Sequence, residues 1–190
     1  MELRKFRKKL QAGKIELKVI NPEWESAEEV FRVVDRNREY LSRWLPWVKH
    51  NTTPEDSLKF LQDSYNEFEN RVKATYGIFL EREYAGHIGL VSFDTTSRSA
   101  ELGYWISEHL RSQGIIPNSV KILEKELFER FGFDRVHIRC DDRNEASGRV
   151  AQKCGYTLQY LVEENEYIES EDIFKKTRVY TKLRHEYFMK

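Results

Sequence analysis

From Lys14 to Ile20 apolar and polar residues alternate, with Ile15, Leu17 and Val19 on one side, which predicts a first strand. Ser26 followed by Glu29 has the form of a capping box, and Val30, Phe31, Val34 and Tyr40 supply the apolar stripe of the helix it would open. Thr53 with Asp56, and Pro54 between them, mark a second helix start. Leu58, Leu61, Tyr65, Phe68 and Val72 then fall on one face. The period changes to two at Tyr76, Ile78 and Leu80, and again at Ile88, Leu90 and Ser92, with a hairpin turn expected over Glu81–Gly86. A polar turn, Asp94–Ser99, leads to a strand at Glu101–Ile106. Ile116, Val120, Leu123, Leu127 and Phe131 recur at helical spacing and predict a helix from about Pro117 to Phe131, stopped before Gly132. Val136, Ile138 and Cys140 form a further strand, a short helix runs from Ala146 to a stop at Gly155, and Phe174–Leu183 alternates once more.

This order is strand, two helices, three strands, helix, strand, helix, two or more strands. It describes a mixed α/β (α+β) chain with an antiparallel meander and a parallel crossover where strand, helix and strand alternate. A single domain over 1–190 is expected, since the length suffices for one core and no linker or repeat interrupts it. The charged share, 34%, exceeds the roughly 25% of ordinary domains and predicts a heavily charged surface. The formal net charge is zero, which argues against general attraction to nucleic acid. The basic run Arg4-Lys5-Phe6-Arg7-Lys8-Lys9 lacks the apolar core of a signal peptide and reads as a solvated face or loose arm. No apolar run approaches a membrane span. Cys140 and Cys154 lack metal-like spacing and the five histidines are scattered, so no metal is expected; reduced, structural thiols in a cytoplasmic protein are.

The chemistry concentrates in Ala100-Glu101-Leu102-Gly103-Tyr104-Trp105-Ile106 and the following Arg111-Ser112-Gln113-Gly114-Ile115-Ile116. A strand, a turn and a helix start in that order make a cradle for a phosphorylated ligand, because free amides and the helix dipole face an anion there. A lone glycine before a helix usually only makes a turn. Here the segment resembles the pyrophosphate-binding motif Q/R-x-x-G-x-G/A of the GNAT superfamily of acyl-CoA-dependent N-acetyltransferases. Arg111 and Gly114 match its first fixed positions, Ile116 stands where Gly or Ala is usual, and Pro117 brings no N–H. Asp35–Leu41 with Trp44-Leu45-Pro46-Trp47, Glu101–Trp105, and Asn144, Ser147 and Lys153-Cys154-Gly155-Tyr156 resemble, in order, further motifs of the ribosomal-protein (serine/alanine) N-acetyltransferase branch.

The resemblance implies a mostly antiparallel central sheet flanked by helices and splayed around an acetyl-CoA slot. It implies direct attack of a primary amine on acetyl-CoA in a ternary complex, the amine being the N-terminal α-amine of a ribosomal or other protein. Such an amine is mostly protonated at neutral pH and needs a base. Glu101 is one candidate, with a solvent-facing strand end as the alternative; Glu166 is the other, in an acidic run that could equally be a solvated face. Ser147 is the general-acid candidate for the departing thiolate, and Asn144 would hold the pantetheine arm; both residues could instead cap the helix they begin. The backbone of Tyr104, Trp105 and Ile106 would pair with the pantetheine as a missing strand does. Arg111 to Ile116 would hold the pyrophosphate, and Trp44 and Trp47 would wall the acceptor site. Acetyl-CoA and an amine acceptor are the expected partners, and a homodimer stays open. A small-amine acetyltransferase acting on a polyamine, antibiotic or amino acid, and a non-catalytic binding module of the same fold, are the alternatives.

Overall fold

A computed structural model describes residues 5–168 and 173–189. Eight strands form one sheet in the order β1-β2-β3-β4-β5-β6-β8-β7. They are β1 (Lys9–Ala12), β2 (Ile15–Lys18), β3 (Thr75–Leu80), β4 (Glu83–Asp94), β5 (Ser99–Ile106), β6 (Arg135–Asp141), β7 (Thr157–Ile168) and β8 (Ile173–Leu183). Every neighbouring pair is antiparallel except β5 and β6, which are parallel and joined through α4 (Ile115–Lys125). On one face lie α1 (Trp24–Arg36), α2 (Arg38–Ser42) and α3 (Pro54–Glu69), where Val30, Val34 and Leu61 pack with Phe79, Tyr84 and Trp105. On the other, α4 and α5 (Glu145–Lys153) place Val120, Leu123 and Ala151 among Ile78, Ile88, Leu102 and Ile138. A short α6 (Arg184–Phe188) follows β8. Because both faces are covered, β3 is buried at four successive positions rather than in alternation.

Local chemistry explains where the elements begin and end. At α3 the capping box forms as expected: the Asp56 amide donates to Thr53 Oγ1 (3.4 Å) and the Asp56 carboxylate accepts from the Thr53 amide (2.9 Å). The expected box at Ser26 does not form. The Ala27 amide already donates to the Glu23 carbonyl (3.0 Å), so α1 is under way from Trp24 and Ser26 lies inside its first turn. Val72 lies beyond the end of α3 and is exposed, not on its buried face. The hairpin turn contracts to Glu81 and Arg82, both at positive φ (49° and 80°), the twist that suits a two-residue connection. Gly86 thereby falls inside β4, where a Cβ would sit 2.2 Å from the Trp105 carbonyl oxygen.

The N-terminal run is no loose arm over its described part. Phe6 is buried and stacks on Phe131 with ring centroids 4.2 Å apart. Lys5 and Lys8 each approach Glu69 at 2.7 Å, an arrangement that holds the Glu69 carboxyl down to about 2. Lys9–Ala12 is a strand, which pairs with β2. The apolar positions Phe6 and Leu10 anchor this basic segment to the core. Downstream, α4 starts two residues before the expected Pro117 and gives way to a π-helical turn, Glu126–Phe131, closed by Gly132 at φ 67°.

Candidate active site

The parallel pairing of β5 and β6 covers only Ser99–Leu102 against Arg135–Ile138. Beyond it, β5 continues to Ile106 on β4 alone and β6 continues to Asp141 on β8 alone. The strands part and leave a cleft of about 380 Å³. A bulge in β4 at Val91 lies beside this fork, where a Cβ on Gly103 would meet Val91 Cγ2 at 2.7 Å and displace that exposed side chain. Among the described residues no strand takes up the open edge of Tyr104–Ile106. The splay expected at this point is therefore present, with the bulge on β4.

One end of the cleft is cationic. Ser112 (φ 62°) and Gly114 (φ 75°) both adopt left-handed conformations in the loop that turns into α4. Such loops present successive amides to an anion. The first helical bond runs from the Asn118 amide to the Gly114 carbonyl (3.1 Å), so the amides at the helix start face outward. A Cβ on Gly114 would come no nearer than 3.8 Å to Asn118 Nδ2; the glycine is required by its φ. Ile116 turns its side chain into the core, and Pro117 occupies the third helical position, where no intrahelical donor is needed. Arg111 and, from α5, Arg149 and Lys153 line this end. The last two are four residues apart on one helix face, a spacing that could have flagged them in the sequence. Gln113 turns away, its side-chain amide donating to the His109 carbonyl (3.1 Å).

Midway, Ser147 Oγ lies 3.0 Å from the Tyr104 hydroxyl, which also donates to the Ser147 carbonyl (3.3 Å). Burial pushes the Tyr104 hydroxyl well up, so it stays protonated at neutral pH. Asn144 caps α5, its Oδ1 accepting the Ser147 amide (3.1 Å), and it lines the cleft as well. Cys140 packs against the core and also borders the cleft, and burial pushes its thiol up. Cys154 is buried, with its Sγ donating to the Pro117 carbonyl (3.6 Å).

On the opposite face of the sheet, Glu101 borders the cleft half-buried; burial raises its carboxyl above the usual range, and Arg139 pulls it partly back. Trp44, Trp105 and Tyr40 line the cleft as an aromatic wall. Tyr40 packs against the helix-side core as expected, and its ring also carries the Arg111 guanidinium at 4.8 Å. Trp47 does not line the cleft, but backs Trp105 with ring centroids 6.1 Å apart. Glu166 lies on β7, and its side chain falls outside the described residues. Among the described residues no group of three or more His, Cys, Asp and Glu side chains gathers as for a metal.

Over residues 16–157 the chain matches the acetyltransferase (GNAT) domain family, and it belongs to that family. It is 24% identical over 154 residues to the ribosomal-protein-serine acetyltransferase of Escherichia coli, covering 81% of this chain and 85% of the relative. Its fold is similar to that of the ribosomal L7/L12 α-N-protein acetyltransferase RimL in complex with coenzyme A (TM-score 0.84, 23% identity, 92% of this chain and 97% of that one). It is also similar to the microcin C7 self-immunity acetyltransferase MccE in complex with acetyl-CoA and AMP (TM-score 0.83, 23% identity, 90% and 93%).

Proposed function

We propose that this acetyltransferase moves an acetyl group from acetyl-CoA to the N-terminal α-amine of a protein, a ribosomal protein being the class its relatives' names point to. The observation that carries the reading is the fork between β5 and β6, whose cleft is lined by an anion cradle, by an aromatic wall and by a carboxylate that burial raises. Residues of this chain suit each part of acetyl-CoA. The helix-start amides with Arg111, Arg149 and Lys153 take the phosphates. The open edge of Tyr104–Ile106 supplies the hydrogen bonds of an absent strand to the pantetheine amides. Glu101 takes a proton from the incoming ammonium, directly or through one water, and burial makes it a stronger base than an ordinary carboxylate. Ser147, its hydroxyl 3.0 Å from that of Tyr104, gives a proton to the departing thiolate and regains the second one that the nitrogen sheds after attack, while Glu101 releases the first to solvent.

The choice of a protein N-terminus over a small amine rests on the names of the relatives, since Trp47, 39% exposed, backs Trp105 outside the cleft lining. The test combines calorimetric titration of acetyl-CoA with an acetyl-transfer assay. Peptides with free Ser or Ala N-termini, the same peptides with blocked N-termini, and a polyamine are compared as acceptors. Micromolar binding and transfer to the free peptides alone are expected. Transfer to the polyamine and not to the peptides would move the acceptor to the small-amine class. No binding at millimolar acetyl-CoA would overturn the whole reading.

A further inference from the structure

The chain between α1 and α2 grips the loop that precedes the cradle. Asn37 breaks the two helices apart at φ −111°, and its side chain is turned inward, with 7% of the residue exposed. Its Nδ2 donates to the Val33 carbonyl (2.6 Å) and to Ser107 Oγ (3.0 Å). Its Oδ1 accepts the Glu108 amide (2.8 Å) and lies 3.3 Å from Ser107 Oγ. The full capacity of the amide group is thus spent, three of its four contacts across a separation of about seventy residues. Ser107, 2% exposed, ends β5, and its amide donates to the Ala85 carbonyl (2.8 Å). Glu108 opens the single 3-10 turn, Glu108–Leu110, that delivers Arg111 into the cradle. Asn37 therefore caps that turn from another element, doing for it what a local Ser or Asp does at a helix start. Three residues on, Tyr40 meets Arg111 itself. Two adjacent grips, Asn37 on Ser107 and Glu108 and Tyr40 on Arg111, fasten α2 to the cradle loop. The same short helix and the residues after it carry Tyr40, Leu41, Trp44 and Leu45 into the cleft.

We infer that Asn37 is a positioning residue that couples the cofactor cradle to the acceptor wall, so that filling the cradle with CoA fixes α2 and with it Trp44. The inference rests on the assignment of the cleft to acetyl-CoA. A buried side-chain amide with every bond made has one low-energy orientation, so movement of the loop is passed on rather than absorbed. Arg111 sits between a ring and the phosphate position, and an anion there draws its guanidinium and Tyr40 into a single arrangement. Coupling of this sort is reciprocal: an acceptor that orders α2 tightens CoA binding by the same factor.

The test is hydrogen exchange of the segment 38–45 read by mass spectrometry, with and without CoA, alongside calorimetric CoA binding. In the wild-type protein CoA is expected to slow exchange in this segment. Asn37→Ala and Ser107→Ala are expected to weaken CoA binding by about tenfold, within the usual range of site-to-site coupling, and to abolish the CoA-induced protection even at saturating CoA. The double variant is expected to bind CoA no worse than the weaker single one, because both remove the same link. Should Asn37→Ala not fold, Ser107→Ala and Tyr40→Leu carry the test, with the same loss of protection expected. A purely structural Asn37 would lower thermal stability and leave the CoA-induced protection intact; that result overturns the inference, as does wild-type protein that binds CoA without slowing exchange at 38–45. Failure of wild-type protein to bind CoA at all removes the cleft assignment first, and this inference with it.

Discussion

Lys182 of β8 and Glu124 of α4 form an ion pair with 1% of each side chain exposed. Lys182 Nζ donates to both Glu124 carboxylate oxygens (3.0 and 2.9 Å) and to the Cys154 carbonyl at the end of α5 (2.7 Å). The lysine therefore ties to the sheet both helices that shape the cleft. Lys182→Met keeps most of the side-chain volume but strands a buried carboxylate. Removing one partner of such a pair costs about 3–5 kcal/mol, because the remaining charge keeps its desolvation penalty without compensation. For a chain of this length each kcal/mol moves the melting point by about 2–4 °C, so a fall of roughly 6–20 °C follows. Removing both charges with Lys182→Met and Glu124→Leu should recover most of the loss. The Cys154 carbonyl still lacks its donor, which leaves a residual cost of about 1–3 kcal/mol. Urea denaturation at neutral pH of the two single variants and the double one measures all three terms. A Lys182→Met protein within about 1 kcal/mol of wild type, or a double variant less stable than either single one, would refute the reasoning.

Glu101→Gln is expected to lower kcat by roughly 10²–10⁴-fold and to remove the acidic limb of the pH profile. That limb rises with pH as Glu101 loses its proton, and its midpoint lies above the usual carboxylate range because burial raises the group; an unchanged profile removes Glu101 from the role of base, and Glu166→Gln then becomes the decisive variant. Ser147→Ala should reduce kcat with little change in the KM for acetyl-CoA, and Tyr104→Phe should do so more weakly, as the partner that orients Ser147; a rise in KM with kcat unchanged would make Ser147 a binding group only. Burial among Tyr84, Phe60 and Trp105 holds His87 down to about 3, so below pH ~6.5 the unfolded chain takes up a proton that the folded one refuses until about pH 3. Stability should fall across that window by up to about 1.4 kcal/mol per pH unit, and His87→Phe should flatten the slope by that amount; equal slopes in the two proteins would contradict the assignment.

What could be read from the sequence was what local chemistry decides. Thr53, Pro54 and Asp56 lie within four residues and formed the helix start their pattern indicates. Gly114 and the apolar period after it placed the start of α4 to within two residues. Ser26 carried the same type of signal as Thr53 and failed, since an earlier turn of helix had already claimed its amides. The loose-arm reading of the basic run failed because its letters do not reveal that Phe6 finds Phe131 across the fold, while Lys5, Arg7, Lys8 and Lys9 do face solvent. The partners of Asn37, of Tyr40 and within the Lys182–Glu124 pair were silent for the same reason: they lie about sixty to seventy residues apart in the chain. Arg149 went unremarked in the sequence and Lys153 entered only through the motif it opens, because nothing local says that their shared helix face borders the cleft.

The fork between β5 and β6 exposes main-chain groups, and the helix start beside it offers more of the same. Backbone amides and carbonyls are present whatever side chain a position carries. A binding slot assembled from them therefore places few demands on the letters of the sequence, beyond a glycine where the chain must bend and room where the ligand must pass. Ile116 and Pro117 show how far such a slot can drift: one hides its side chain in the core and the other gives up a single amide. Selection can then act on the aromatic wall and its rim almost independently of the cofactor, and new acceptors can be tried in evolution without the acyl donor being lost.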